Sequence, residues 1–443
     1  MKTIDMTTGS PTKKILLFSI PILLGNILQQ IYSLSDTLVV GRYLGKEALA
    51  AVGASSAIVV LINSILVGLT MGASVLFASY YAKKANTELG KAISTSFIFI
   101  GGFSLILSIL LILLLNPILT LFQMPIEAFP LARSYLRIVL SGLFFLTLYN
   151  ISAAILRAFG DSKTPLIYLV IATLINVIFD FVFVIYTDLG VKGPALSTFL
   201  AHFVTSIPIL IHLLKHTKHI KKPFKIDKAI FKEVWSYSML TSLQQSIMNF
   251  GILMIQGLIN SFGVIAIAAF TIGVRIDAFA YMPAQDFANG FAIFVSQNKG
   301  VNRFDRIKKG FVSSIITQTI FTGLVTLGIL IFSTSLIKLF SPNDIDVITL
   351  GKTYLNIEGL FYILIGYLFL FYALFRGMGK FKTSIFLTVV SLGTRVLLSY
   401  GLVYFGFGIR SVFWSIPIGW LLADMVGFYF FNRDLNDASF TLD

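Results

Sequence analysis

Long apolar segments alternate with short polar ones along almost the whole chain. Segments such as Ile15–Leu34, Ser96–Leu115 and Phe311–Phe332 contain no charged side chain. Each has the length of about 20 residues that a helix needs to cross ~30 Å of hydrocarbon. The pattern predicts twelve transmembrane helices, near 15–41, 48–81, 93–116, 129–156, 165–187, 191–214, 229–260, 264–297, 308–337, 349–375, 383–406 and 410–431. The predicted fold class is an all-α polytopic membrane protein.

The composition agrees with a lipid environment. Of the 443 residues 56% are hydrophobic and 12% are charged, whereas soluble domains are about 45–50% apolar and about 25% charged. The first apolar segment includes Gln29, Gln30 and Asp36 and has no small-residue cleavage site, so we expect a retained helix rather than a signal peptide. The chain has no cysteine, which excludes disulfides and thiolate metal sites.

The net charge of +14 follows the topology. Most of the 34 Lys and Arg residues fall in alternate connecting segments, which become the cytoplasmic ones under the positive-inside rule. Both termini are then cytoplasmic, in a multi-pass protein of the cell (inner) membrane that contacts lipid. This placement accounts for the basic charge, so we expect no nucleic-acid partner.

The chain is an internal repeat. A polar interruption, Lys215–Lys232, separates six predicted helices from six more. Gly45–Ala51 (GKEALAA) matches Gly263–Ala269 (GVIAIAA), and Arg157–Thr164 (RAFGDSKT) matches Arg376–Thr383 (RGMGKFKT) at nearly the same spacing. Six helices per half give both halves the same orientation, as in parallel transporter repeats. The expected domains are a six-helix lobe at 1–214, a basic cytoplasmic linker at 215–228 and a second six-helix lobe at 229–443.

A polar set within the first-half helices is the strongest candidate site. An aspartate inside a span costs roughly 2.5–3.5 kcal/mol and needs a reason to be there. Two carboxylates, an amide oxygen and a hydroxyl form an oxygen cage suited to Na⁺, and paired carboxylates can instead share a proton. A purely structural hydrogen-bonding role is the alternative. The candidate coupling residues are Asp36, Asn176, Asp180 and Thr198, with Gln29, Gln30 and His202 as candidate cavity residues.

The second half has its own ionisable groups. Asp36 and Asp180 align with Met254 and Ser399 in the repeat, so the first-half carboxylate pair is not duplicated. We expect one lobe to bind the cation and the other to shape the cavity. Further candidate cavity residues are Arg275, Asp286 and Glu358, whereas Arg395 and Asp424 are expected to form a structural ion pair.

Several motifs together resemble the multidrug and toxic compound extrusion (MATE) family, and Asp36 and Asp180 look like its DinF-like, Gram-positive branch rather than the NorM-like one. The motifs are residues 32–45 (YSLSDTLVVGRYLG), 48–53 (ALAAVG), 157–161 (RAFGD), 283–290 (PAQDFANG), 294–300 (FVSQNKG) and 417–420 (PIGW). The resemblance implies a V-shaped pair of six-helix bundles, alternating access, a monomer, and a cation site at Asp36, Asn176, Asp180 and Thr198. The seventh helix departs from NorM-like members because it has no acid beyond its cytoplasmic end.

These features favour a cation-coupled antiporter that exports organic, lipophilic cationic drugs or metabolites, with H⁺ or Na⁺ as coupling ion and no organic cofactor. The alternative is a lipid-linked oligosaccharide flippase of the same superfamily. A major facilitator transporter is disfavoured because such proteins usually have a Gly-, Asp- and Arg-rich loop between helices two and three. Here that loop reads AKKANTELGK. No His/Asp or DxD-type set near an interface indicates an enzyme, and the repeated halves disfavour a passive channel.

Overall fold

The computed structural model describes residues 3–121, 124, 126–218, 220, 223 and 226–436 of the chain, without the side chains of residues 33, 34, 46 and 434–436. Of the predicted linker at 215–228, residues 219, 221, 222, 224 and 225 lie outside this description. The described part of the chain is helical, with short connections and no strand.

Sixteen α-helices follow one another among the described residues. They are α1 (Pro11–Tyr43), α2 (Gly45–Ala82), α3 (Asn86–Ser96), α4 (Gly102–Leu113), α5 (Leu115–Leu121), α6 (Phe129–Ser141), α7 (Leu143–Ala158), α8 (Lys163–Tyr186), α9 (Lys192–His216), α10 (Lys228–Asn260), α11 (Val264–Gly300), α12 (Phe304–Lys338), α13 (Ile345–Gly359), α14 (Tyr362–Gly377), α15 (Phe381–Tyr404) and α16 (Ile409–Asn436). A π-helical turn, Phe97–Gly101, joins α3 to α4 in one continuous span.

The membrane spans follow the predicted order. Among the described residues nine spans are long and apolar enough to cross a bilayer, and two bent pairs of helices bring the number to eleven. The bend is 40° between α6 and α7 and 51° between α13 and α14. The remaining predicted span, 229–260, corresponds to α10, which has 33 residues but is not among the helices that are both long and apolar enough to cross a bilayer. The all-α polytopic fold class is confirmed.

The described chain divides into two compact units. The first comprises Met1–Asp5 and Ile20–Ser242, and the second comprises Met6–Ser19 and Leu243–Asp443. Two helices therefore pass from one unit to the other: α1 begins in the second unit and continues in the first, and α10 begins in the first and continues in the second.

Glycines allow the first part of α10 to pack against α2 within the first unit. A Cβ atom on Gly72 would lie 2.2 Å from the carbonyl oxygen of Tyr237, and one on Gly68 would lie 2.4 Å from the Cα of Ser242. In the second unit, Gly290 of α11 packs in the same way against Ser19, where a Cβ would lie 2.1 Å from the hydroxyl oxygen. Gly72 and Gly290 are equivalent positions in the repeat, so both halves use a glycine at this position to allow close packing of a neighbouring helix.

Side chains of α11 and α12 in the second unit form hydrogen bonds with the backbone of the segment before α1. The Met6 amide donates to Gln297 Oε1 at 3.1 Å, and Asn298 Nδ2 donates to the Met6 carbonyl at 3.0 Å. Arg306 donates to the carbonyl oxygens of Met6, Thr8 and Gly9. These bonds satisfy backbone groups that precede the helix and fix the start of α1.

The start of α10 is fixed by an aspartate cap. Asp227 Oδ1 accepts hydrogen bonds from the backbone amides of Ala229 at 3.0 Å and Ile230 at 3.3 Å, while its other oxygen accepts from Lys91 Nζ at 2.8 Å. Hydrogen bonding from Lys91 and from the helix amides lowers the pKa of the Asp227 carboxyl. Because both side chains of the ion pair are about one-third exposed, 34% and 32%, the pair contributes little stability of its own.

Candidate cation-binding site

Two antiparallel helices place most of the predicted first-half site together. Helix α8 ends at Tyr186 and α9 begins at Lys192, so a short turn brings the second half of α8 against the first turns of α9. Asn176 and Asp180 are four residues apart and lie on one face of α8. That face meets α9 at Ser197 and Thr198, and all four side chains are buried, with Thr198 the most exposed at 6%.

Helix α1 adds the second carboxyl group. Asp36 is 7% exposed, and its carboxyl group lies in hydrogen-bonding contact with that of Asp180. Asp180 is completely buried. Two acids from different helices, α1 and α8, are therefore in direct contact inside the first unit.

The Asn176 amide bridges the two acids. In the orientation that satisfies its neighbours, its nitrogen donates to Asp180 Oδ2 and to Asp36 Oδ1, each at 3.3 Å, and its oxygen accepts from Ser197 Oγ at 3.3 Å. Asp180 Oδ1 is the second acceptor within reach of Ser197 Oγ, whose single hydrogen is donated to one of the two at a time. The carboxyl pair is thus surrounded by hydrogen-bond donors from α8 and α9.

Thr198 is connected to α1 through a tyrosine. Tyr32 Oη donates to Thr198 Oγ1 at 3.0 Å, and Thr198 Oγ1 donates to the carbonyl oxygen of Pro194 at 3.0 Å. Tyr32 precedes Asp36 by one helical turn, so both side chains leave α1 on the side that faces α9. Asp36, Asn176 and Asp180 therefore form the centre of the site, and Thr198 lies at its edge.

Two contacts at this site were missed by the sequence analysis. Ser197 binds both Asp180 and Asn176, although only its neighbour Thr198 was singled out. Tyr32 could have been found, because it stands four residues before Asp36 and such a pair shares a helix face. Ser197 gave no comparable signal, since serine is common in buried helix interfaces and only the packing of α8 on α9 identifies its partner.

The remaining first-half candidates lie away from this centre. Gln29 and Gln30 are exposed on α1, at the turn that precedes Tyr32. His202, one turn beyond Thr198 on α9, is half-buried. The assignment of all three to a cavity stays a prediction.

The second-half candidates differ in burial. Arg275 is exposed on α11, whereas Asp286 on α11 and Glu358 on α13 are almost completely buried, at 1% and 0%. Tyr281 Oη donates to Glu358 Oε2 at 2.9 Å. Their roles in a cavity stay predictions.

The expected ion pair between Arg395 and Asp424 is wrong. The salt bridge described in the structure joins Lys91 to Asp227 instead, and neither carboxyl oxygen of Asp424 has a hydrogen-bond partner in the described part of the chain. Arg395 interacts electrostatically with Asp277 and Glu358. The rotation of α15 and α16 about their own axes decides which groups meet, and sequence spacing does not contain that information.

Comparison with known proteins identifies the family. The MatE family model matches residues 21–182 and 238–401, more than half of the chain and one segment in each half of the repeat. A Bacillus subtilis protein named "Probable multidrug resistance protein YpnP" is 28% identical over 398 residues, 88% of each chain. An "FAD transporter" of Shewanella oneidensis is 25% identical over 442 residues, 96% of this chain and 95% of its own.

Solved structures share the fold over its full length. An outward-facing multidrug resistance MATE family transporter of the MOP superfamily superposes with a TM-score of 0.93 over 100% of this chain and 99% of its own, at 24% identity. A MOP superfamily transporter from Pyrococcus furiosus superposes with a TM-score of 0.89, covering 98% of both chains at 25% identity. With the membrane-spanning helices and the repeated halves, these matches place the chain in the MatE family of multidrug efflux transporters.

Proposed function

We propose that the protein is a proton-coupled antiporter that exports organic, lipophilic cations, with Asp36 and Asp180 carrying the coupling proton. One observation supports this most directly: two buried carboxyl groups from different helices are in hydrogen-bonding contact. Like charges this close cannot both be ionised at little cost, so one proton shared between them relieves the repulsion.

The surroundings of the pair favour a proton over Na⁺. The Asn176 amide offers its nitrogen to the two acids, and its oxygen is occupied by Ser197. A sodium ion needs lone pairs directed at it, so it would require the opposite orientation of Asn176, with the oxygen toward the acids and the nitrogen donating to Ser197 Oγ. In the arrangement described, the donors stabilise a carboxyl pair that has one proton and one negative charge.

Transport follows from the effect of this proton on α1. When the pair is protonated, α1 is held to α8 by the Asp36–Asp180 contact and by Asn176; when the proton leaves, two anions repel each other. Pro21 removes one backbone hydrogen bond of α1, two residues after the helix passes from the second unit to the first. A bend there would carry Asp36 away from Asp180, and coupling then rests on the different affinities of the two states for proton and substrate.

Lipid and topology complete the proposal. Many large apolar side chains are exposed, among them Leu113 at 75%, Leu324 at 65% and Leu397 at 75%, as expected for surfaces that face acyl chains rather than water. We further propose that the protein is a monomer in the cell membrane. Both termini then lie in the cytoplasm, because this orientation places the basic connections inside.

The proposed function is tested by separating the two ions. A fluorescent lipophilic cation is added outside everted membrane vesicles that contain the protein, and its accumulation inside is measured under an imposed proton gradient, an imposed Na⁺ gradient, or neither. We expect dye transport under the proton gradient and none under the Na⁺ gradient alone. Transport under Na⁺ alone would contradict the choice of proton. If neither gradient moves the dye, export of lipophilic cations is wrong, and FAD and a lipid-linked oligosaccharide become the substrates to assay.

Replacing Ser197 with alanine tests the role of the donors. The change removes the hydroxyl that donates to Asp180, so the anionic form loses a charge-assisted hydrogen bond. We expect the pH at which efflux is half-maximal to rise by about one to two units, since such bonds contribute about 1.5–3 kcal/mol and one pH unit equals about 1.36 kcal/mol.

The matched control is Ser206→Ala on the same helix. Ser206 is equally buried, and its hydroxyl donates only to the backbone oxygen of Phe203. Its pH profile should coincide with that of the wild type. Equal profiles for Ser197→Ala and Ser206→Ala would show that Ser197 does not affect the proton.

A further inference from the structure

A second buried pair of carboxyl groups lies within the second unit. Asp277 on α11 and Glu358 on α13 are both 0% exposed. Each lies within a membrane span, where an ionisable side chain is costly unless its charge is compensated. The first-unit site does not include them, and they require their own explanation.

Tyrosines surround this pair. Tyr354 Oη donates to Asp277 Oδ2 at 2.5 Å, and Tyr362 Oη donates to Asp277 Oδ1. Tyr281 Oη donates to Glu358 Oε2 at 2.9 Å, and the two carboxyl groups are in hydrogen-bonding contact with each other. Three phenol donors from α11, α13 and α14 thus converge on two acids.

One hydrogen is missing from this network. Glu358 Oε1 is fully buried and accepts no hydrogen bond in the described part of the chain. The three phenols donate to the other oxygens, and a contact between two carboxyl groups has no hydrogen of its own. A proton on one of the acids supplies the missing donor.

The charge of the cluster requires the same proton. Arg395 on α15 is the cation that interacts electrostatically with both acids, and its Nε has no acceptor among the described residues. Two carboxylates and one guanidinium have a net charge of −1. A single shared proton makes the buried cluster neutral, the state that the low-dielectric interior favours.

We propose that Asp277 and Glu358 form a second proton-binding site, which holds one proton between the two carboxyl groups and exchanges it with water past Tyr281. Tyr281 is half-buried, whereas Glu358, to which it donates, is completely buried, so Tyr281 is the more exposed residue of this hydrogen-bonded pair. Among the described residues no group of three or more His, Cys, Asp or Glu side chains could hold a metal ion. The two acids, with hydroxyl donors around them, match a proton.

This site is not the repeat copy of the first one. The repeat equivalents of Asp277 and Glu358 in the first unit are Val59 and Val139. Conversely, Ser399, the repeat equivalent of Asp180, has no carboxyl group and contacts Ser415, with the two hydroxyl oxygens 2.5 Å apart. The second site therefore arose at different positions, and it does not depend on the first-unit site being the coupling site.

The test is infrared spectroscopy of the purified full-length protein in detergent. Protonated carboxyl groups give a C=O absorption band that shifts in D₂O, and Asp36→Asn/Asp180→Asn serves as the background because it removes the first pair. We expect Glu358→Gln in this background to remove the band of one carboxyl group near neutral pH, leaving Asp277 ionised beside Arg395. An unchanged carboxyl band would overturn the proposal.

Two further variants give the site a signature that a structural role would not produce. Arg395→Gln removes the compensating charge, so the band should gain intensity as the second acid also takes a proton. Tyr281→Phe removes a donor to Glu358 at a half-buried position and keeps the ring, and the band should then titrate at a pH higher by about one to two units. If Glu358→Gln does not fold, Tyr281→Phe decides the matter, and an unmoved titration contradicts the proposal.

Discussion

Replacing Asp36 with asparagine is expected to lower proton-driven efflux by roughly 5–150-fold. This is the factor that corresponds to a typical coupling free energy of about 1–3 kcal/mol between two ligands. Asparagine has the size of aspartate, so the packing of α1 on α8 is retained. Its NH₂ group can donate to Asp180 as a protonated carboxyl would. The variant therefore imitates the protonated pair permanently, and the step that releases the proton is lost.

Asp188→Asn is the matched control for this variant. Asp188 is exposed in the connection between α8 and α9, so the same chemical change is made away from the acid pair. Transport of a fluorescent cation in everted vesicles is compared at equal protein levels for both variants. Asp36→Asn vesicles that retain wild-type transport, or Asp188→Asn vesicles that lose it equally, would contradict the role given to Asp36.

Replacing Gly72 with alanine is expected to destabilise the protein by about 3 kcal/mol, the upper part of the range for overpacking. The new Cβ would lie 2.2 Å from the carbonyl oxygen of Tyr237 and 2.5 Å from its carbonyl carbon. Both are backbone atoms, so no side-chain rotation relieves the overlap and α10 must move away from α2. The melting temperature should fall by about 6–12 °C, given about 2–4 °C per kcal/mol for a unit of this size.

Gly53→Ala provides the control within the same helix. A Cβ on Gly53 meets no atom within 4 Å, and alanine is favoured over glycine in a helix interior by about 1 kcal/mol. This variant should melt at or slightly above the wild-type temperature, as measured by a thermal-shift assay in detergent. Equal melting of the two variants would mean that the close contact between α2 and α10 is not needed for stability.

The positions of the helices were predictable from the sequence, whereas their bends were not. Hydrophobic length places a span, and the predicted helix at 383–406 differs from α15 (Phe381–Tyr404) by two residues at each end. The predicted helix at 129–156 is broken at Gly142, where a Cβ would lie 3.3 Å from the Phe199 ring. Such a bend depends on the side chain that a neighbouring helix presents, and apolar periodicity does not contain that information.

The polar residues of the first unit were predictable as a group, although their partners were not. An aspartate within an apolar segment is conspicuous by its cost, which is how Asp36 and Asp180 were found. Serine carries no such cost, so Ser197 gave little signal although it bonds to Asp180, whereas the spacing of Tyr32 from Asp36 was a signal that could have been used. The supposed pair of Arg395 and Asp424 failed for a related reason, since opposite charges on neighbouring helices meet only if their faces do.

The most direct test of the central claim is proton movement driven by substrate alone. Proteoliposomes with a pH-sensitive dye inside receive a gradient of a lipophilic cation and no ion gradient, and internal pH is followed for the wild type and for Asp36→Asn. Antiport predicts that substrate flux in one direction drives proton flux in the other in the wild type, and that Asp36→Asn abolishes the pH change. Substrate flux through the wild type without any change of internal pH would contradict proton coupling at this site.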